Sequence, residues 1–215
     1  MLTSKSIALG EKELNPVASA AGSTFAVADV GFIESLRAGD AEAFDKLITR
    51  YSADIYALLF RLTSDNEEAA DLTQETFLRA FKAIGGFRGD SDLKTWLYRI
   101  AINESRNKFR WWKRRRREKT VSLDDSIGNS QAVYSETISD VAPNPEQETL
   151  RRERERILQN ALMDLPPIFR EPIVLFDIEG LSYDEICKAL GLNLGTLKSR
   201  LARGRKELKL RLAGY

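Results

Sequence analysis

The chain is predicted to be all-α: two small helical domains joined by a flexible acidic connector, the second of them a helix-turn-helix. Three observations carry that expectation. Apolar residues recur at helical spacing through most of residues 32–117 and 146–212. No segment alternates apolar and polar residues with a period of two, and no hairpin turn joins such runs. Between the helical stretches, residues 120–147 are rich in Asp, Ser, Gly and Asn and carry Pro143 and Pro145, the composition of a linker. A length of 215 residues with 43% hydrophobic content is enough to bury real cores in one or two domains.

Taken in order, residues 1–31 are rich in Ala, Ser and Gly without sustained periodicity, and are expected to form a loose extension. They lack the basic start and continuous apolar stretch of a secretory leader. The first domain is placed at 32–117. Phe32, Ile33 and Leu36 precede a break at Gly39-Asp40, and Ala43, Phe44, Leu47 and Ile48 then repeat at helical spacing as far as Leu62. Asp65 followed by Glu68 has capping-box spacing and opens the next helix, which Gly85-Gly86 closes. A short loop, 86–92, precedes a long basic helix. The connector is set at 118–145 and the second domain at 146–215. There helical pattern runs over Leu150–Leu162, over Ile168–Ile178 behind Pro166-Pro167, over Ser182–Leu190, and from Gly195 to about Leu212.

The net charge of +1 hides a segregation of charge. Arg99–Arg117 holds nine basic residues against one acidic, a balance of +8. Glu118–Leu150 holds one basic against seven acidic, −6, and Gly195–Tyr215 seven against one, +6. Two basic patches flanking an acidic connector point to two nucleic-acid contacts on one chain. With a single cysteine, Cys187, in an apolar helical pattern and no histidine, neither an internal disulfide nor a Cys/His metal cluster is expected. No apolar run is long enough to span a membrane, so a cytosolic protein without membrane insertion is expected.

On the helix 93–117, Leu93, Leu97, Ile100 and Ala101 cluster on one side. Arg99, Asn103, Arg106, Arg110, Lys113 and Arg117 recur on the opposite side at spacings of four, three, four, three and four, with Tyr98, Phe109 and Trp112 along the shoulder. A cationic stripe bordered by rings can hold phosphates while stacking on exposed bases. On this segment alone, a solvated basic face above ordinary core aromatics fits equally well.

Near the C-terminus, Ser182 with Glu185 three residues on forms a second capping box, and Ile186 and Leu190 supply a buried face. Gly191 permits the left-handed backbone of a tight inter-helix turn. On the following helix Leu197, Leu201, Leu208 and Leu212 form an apolar stripe. Thr196, Ser199, Arg203 and Lys206 project opposite, with Lys198 and Arg200 on the flanks, a pattern suited to the major groove.

The helix over 66–84 is expected to bury Ala70, Thr73, Phe77, Ala80, Phe81 and Ile84. Leu72 and Leu78 then fall on the exposed half with Asp71, Glu75 and Lys82, and Gln74 at the edge. Leucines set among carboxylates suggest a protein-docking surface.

These residues together resemble the extracytoplasmic-function sigma factors, the two-domain specificity subunits of bacterial RNA polymerase. The resemblance covers about residues 32–117 and 146–212. Its motifs are Ala43-Phe44 with Tyr51, the run from Asp71 to Leu78, Phe87-Arg88-Gly89-Asp90, the run from Thr95 to Ala101, Leu181 to Ile186, and Gly195 to Arg200.

The resemblance implies that Asp71, Leu72, Gln74, Glu75 and Leu78 dock on the clamp helices of the polymerase's largest subunit, the β flap being a further contact on the core. It implies that the 86–92 loop and the start of the basic helix capture a flipped base of the non-template strand at the −10 element, through Phe87, Arg88, Trp96, Tyr98, Arg99, Asn103, Arg106 and Arg110. Extruding a base costs about a few kcal/mol, which stacking and edge hydrogen bonds offset. The helix-turn-helix is implied to read the −35 element through Thr196, Lys198, Ser199, Arg200, Arg203 and Lys206. The connector is implied to thread toward the active-site channel, and an anti-sigma protein to be the regulator.

There are departures from the family pattern. Lys198 stands where arginine is also common and lacks arginine's fork for guanine. Ala202 and Gly204 replace residues that are often bulkier, and the pair Trp111-Trp112 has no role the family assigns.

Two other functions compete. A stand-alone helix-turn-helix regulator would leave the aromatic basic helix and the Leu72/Leu78 face unexplained. A nucleic-acid enzyme would need a convergent catalytic cluster or a phosphate-binding glycine loop, and neither is present. No cofactor is expected.

Overall fold

The computed structural model describes residues 27–118 and 145–213, so most of the extension and the connector lie outside the described residues. Among the described residues the fold is helical throughout, with no strand. Helix α1 (Val27–Arg37) begins upstream of the expected start at Phe32. Asp40 caps α2 (Ala41–Thr63), accepting from the Glu42 N–H at 3.0 Å. Its Ala43, Phe44, Leu47, Tyr51, Ile55, Leu58, Leu59 and Leu62 form one buried stripe at three- and four-residue spacing. Ser64, in the left-handed region at φ 57°, ends the helix, and Asp65 then caps α3 (Asn66–Ala83).

Helix α3 packs against both α2 and α4 (Leu93–Glu118), and this shifts its buried face from the expected one. Ala69, Leu72, Thr76, Phe77 and Ala80 are inside, whereas Phe81 is 54% exposed and meets Phe44 edge-on at 4.7 Å. A 3₁₀ turn at Ile84–Gly86 leads to the loop before α4, where Gly89 takes φ 78°. The Arg37 guanidinium donates to the Phe87 carbonyl and ties this loop to α1. The first half of α4 is embedded, from Leu93 to Ile102, and its second half runs out into solvent.

In the second domain α5 (Pro145–Met163) carries Arg151, Arg152 and Arg156 paired with Glu148, Glu153 and Glu155 along an exposed surface. Helix α6 (Pro167–Ile173) starts with proline in its first turn and contains Pro172, which cannot donate to the carbonyl four residues back. A wide π-type turn follows at Val174–Ile178, closed by the Glu179 N–H on the Val174 carbonyl at 2.9 Å. Helices α7 (Tyr183–Leu190) and α8 (Leu194–Leu212) form the helix-turn-helix.

The two halves share one continuous core rather than standing apart. Arg170 is buried between them. Its guanidinium donates to the Leu62 carbonyl at the end of α2 (2.7 Å), to Leu162 (2.9 Å) and Met163 (2.7 Å) at the end of α5, and to Leu165 (2.9 Å). One cation thus caps the carbonyl ends of a helix from each domain, where the helix dipoles favour positive charge. Around it, Glu179 accepts from Arg61 and from the Tyr98 hydroxyl, both at 2.6 Å, and Glu171 accepts from Arg106 Nε at 2.8 Å.

Replacing Arg170 with Met should leave several buried carbonyls unpaired, each at about 1–3 kcal/mol. Calorimetry should show a lower, split unfolding transition; a single transition at the original temperature would disprove the capping role.

Candidate nucleic-acid interface

The loop after α3 and the first turns of α4 enclose a cleft of about 260 Å³ lined by Gly86, Phe87, Arg88, Asp90, Ser91, Trp96 and Arg99. Phe87 and Trp96 pack at 5.1 Å between ring centroids, tilted by 50°, and both are buried. They make an aromatic floor, while Arg88 and Arg99 are exposed. Such a cleft can stack a flat heterocycle and hold the phosphates beside it. Asn103 and Arg110 are exposed further along α4; Asn103 is not part of the cleft lining.

Two residues expected at this interface are engaged by the second domain in this arrangement. Tyr98 is fully buried and faces the second domain, where burial, then its hydrogen bond to Glu179, pushes the phenol well above its usual range. It is no DNA-facing ring here. Arg106 is on the stripe but is engaged by Glu171, whose hydrogen bond raises the guanidinium's already high pKa. The second domain covers this flank because α7 packs on α4, with Lys188 donating to the Asp90 carbonyl.

In the helix-turn-helix, Ser182 and Glu185 make both halves of the capping box. Gly191 takes φ 66°, and Asn193 caps α8 by accepting from the Thr196 N–H at 2.8 Å. Leu197, Leu201 and Gly204 face inward. Lys198, Ser199, Arg203 and Lys206 are exposed, Thr196 and Arg200 half-buried. Ser199 donates to the Thr196 carbonyl at 2.9 Å, and Lys198 lies 5.9 Å from the Tyr183 ring centre.

Gly204 belongs to packing and not to a reading surface: a Cβ there would sit 2.8 Å from Ile173 Cδ1 and 3.1 Å from Phe169 Cβ. Arg205 went unnoticed in the sequence. It pairs with Asp177 at 3.0 Å and covers Phe176 at 5.1 Å, fixing α8 to the π-type turn. Cys187 is only partly buried, and burial pushes its thiol up.

On α3, Asp71, Gln74, Glu75 and Leu78 are exposed, Leu78 by 55%. Leu72 is not: at 3% exposure it belongs to the core, because α4 covers that side of the helix. Phe81, three residues further along α3, is exposed as well. Among the described residues no group of side chains could hold a metal ion, and no helix is long and apolar enough to cross a membrane.

Residues 47–118 match the model of sigma-70 region 2, and residues 155–208 that of sigma-70 region 4. These two modules define the chain as a sigma-70-type transcription factor. Among similar proteins, the RNA polymerase sigma-H factor of Pseudomonas aeruginosa is 36% identical over 84% of this chain and 91% of its own length. The ECF RNA polymerase sigma-E factor of Haemophilus influenzae is 33% identical over 84% and 93%. The sigma factor RpoE of Bartonella quintana, solved in complex with the anti-sigma factor NepR, has a TM-score of 0.63 at 26% identity, covering 80% of this chain and 98% of that one. CnrH in complex with the cytosolic domain of CnrY shares the fold, with a TM-score of 0.60 at 23% identity, covering 87% and 98%. The chain belongs to the extracytoplasmic-function sigma factors.

Replacing Gly204 with Leu should overpack α8 against α6 and cost about 1–3 kcal/mol. Denaturant unfolding checks this; an unchanged midpoint would disprove the packing role of Gly204.

Proposed function

We propose that the Phe87–Trp96 cleft receives an unpaired base of the −10 element, that α8 reads the −35 duplex, and that the exposed face of α3 docks on core RNA polymerase. As an extracytoplasmic-function sigma factor, the chain directs bacterial core RNA polymerase to specific promoters. The observation that carries the assignment is the aromatic-floored cleft between Arg88 and Arg99, opening onto a helix face that continues through Asn103 and Arg110.

Stacking supplies affinity for a base removed from the duplex, and the arginines hold its phosphates. Lys198, Ser199, Arg203 and Lys206, with Thr196 and Arg200 at the edges, are the reading side chains of α8. Asp71, Gln74, Glu75 and Leu78 meet the clamp helices, and the second domain meets the β flap. The chain itself performs no catalysis and acts in the cytoplasm, where the polymerase is.

Arg106 becomes free for phosphate only when Glu171 releases it, so promoter binding requires the two domains to separate. A protein of the anti-sigma kind, as bound to RpoE, is the regulator this family relationship favours.

In run-off transcription with core polymerase, this chain should start RNA at a defined set of promoter fragments; initiation no better than core alone refutes the proposal. Arg203→Ala should weaken −35 binding by about 1–3 kcal/mol and relax its sequence preference. Unchanged transcription from −35-dependent promoters would remove that contact. Leu78→Glu, at an exposed position, should abolish co-purification with core polymerase while leaving the circular dichroism spectrum intact. Retained co-purification would move the dock elsewhere.

A further inference from the structure

We propose that Trp111 and Trp112, with Arg110, Arg114 and Arg115, form a second contact for unpaired DNA bases, at the far end of α4 from the Phe87–Trp96 cleft. The inference rests on the reading that a DNA strand meets α4 at that cleft. Three large rings crowd into four residues of this helix, and all lie open: Phe109 is 59% exposed, Trp111 42% and Trp112 47%. Ring area of this size left in water on a solvated helix marks a contact surface.

The rings are held rather than loose. Trp111 and Trp112 meet edge-to-face at 5.1 Å, and the Arg115 guanidinium lies 4.8 Å from the Trp111 ring centre. Between this end and α3 runs an open cleft of about 790 Å³, lined on the α4 side by Glu104, Asn107, Lys108, Arg110, Trp111 and Arg114. Lys108 is paired with Glu68 and Glu104 with Arg79. Among the described residues Arg110, Arg114 and Arg115 have no carboxylate partner. The sequence between Glu104 and Glu118 holds eight basic residues and no acidic one.

The occupant follows from how rings and cations are interleaved. On a helical wheel Phe109 and Trp112 lie about 60° apart and Trp111 about 100° further round, and arginines of the sequence fall between them. A lipid surface calls for an apolar face unbroken by charge, and here cations interrupt the rings. A nucleic-acid strand alternates flat bases with phosphates and matches alternating rings and guanidinium groups. Bases inside a duplex hide their faces, so the bases stacked here are unpaired, either in a melted strand or at the frayed edge of the adjoining duplex. Arg99 and Arg114 are separated by about 22 Å along the helix axis, so one strand can cross from the first cleft along the exposed Asn103 and Arg110 positions to the ledge.

The test uses the full chain and fluorescein-labelled probes read by anisotropy: a dodecamer of deoxythymidine, an abasic dodecamer with the same phosphates, and a fork duplex with a deoxythymidine tail. Trp111→Ala/Trp112→Ala should weaken the thymidine dodecamer at least about tenfold, leave the abasic probe unchanged, and keep the circular dichroism spectrum. Trp111→Phe/Trp112→Phe should restore most of the binding. A larger loss on the fork than on the dodecamer would assign the ledge to the duplex edge, and a larger loss on the dodecamer to the melted strand.

Equal binding of thymidine and abasic probes by the unaltered chain would overturn the proposal. So would tryptophan emission that shifts with phosphatidylglycerol vesicles and not with the thymidine dodecamer. The probes carry no promoter sequence, so a null result with intact promoter-directed transcription removes the ledge alone. Phe87→Ala without effect on transcription would remove the first cleft instead.

Discussion

A single guanidinium, that of Arg170, sits where the last carbonyls of α2 and α5 converge, and the closed form of this chain is built around it. Helix ends leave carbonyls that must find donors, and those of Leu62 and Leu162 belong to buried residues. The fork of an arginine reaches both at once, where a lysine's compact ammonium could not. Burial works against the charge and lowers the Arg170 pKa, while neighbouring Glu171 and Asp164 partly offset it. The cation stays because four carbonyl contacts replace its hydration shell. Arg170 therefore fixes the angle at which region 4 meets region 2, and Glu171 and Glu179 fall into register with Arg106, Arg61 and Tyr98 as a consequence.

That geometry sets the functional trade. Each carboxylate bond across the boundary is made with a residue of α2 or α4. Glu171 holds an arginine of the cationic stripe, and Lys188 leans on the backbone of the loop that forms the cleft. The exposed part of the stripe, Arg99, Asn103 and Arg110, remains available in the closed form. Exchanging Glu171 for a DNA phosphate replaces one anion by another at Arg106, so opening on a promoter costs less electrostatically than opening in plain solvent. Under the proposed role of Arg106, DNA competes directly with the interdomain contact, and salt weakens both sides of that competition.

The helices, their caps and the helix-turn-helix were legible because each depends on residues a few positions apart: Ser182 with Glu185, Gly191 at its turn, the Leu197 and Leu201 stripe. The aromatic-cationic character of the first cleft was legible for the same reason, since Phe87 to Arg99 is one short stretch. Facing was harder to read. Helical periodicity shows that a helix has an apolar side, but a helix touched by two neighbours buries a wider, rotated arc. Leu72 therefore went inside and Phe81 came to the rim. Tyr98 was misplaced by a partner more than 80 positions away, since its hydroxyl seeks Glu179. Gly204 carried no local signal, because the reason for its missing side chain is Ile173 on another helix. Arg170 looked like one cation among many, and only the convergence of two helix ends gives it a role.

The charge pattern gains meaning from the same closed form. A balance of +8 on Arg99–Arg117 would be costly to concentrate on one helix if all of it had to be packed against protein. The fold avoids this by embedding only the first turns of α4 and letting the most basic portion run beyond the body of the domain. As far as Lys108, cations other than Arg99 are matched singly, Lys94 by Asp54, Arg106 by Glu171 and Lys108 by Glu68. Among the described residues beyond Lys108 the matching stops, and the exposed rings begin. Carboxylates placed there would have stabilised an isolated helix through pairs three or four residues apart, as they do on α5. Their absence from this end of α4, on a chain that uses such pairs freely elsewhere, agrees with the proposal that a polyanion binds there.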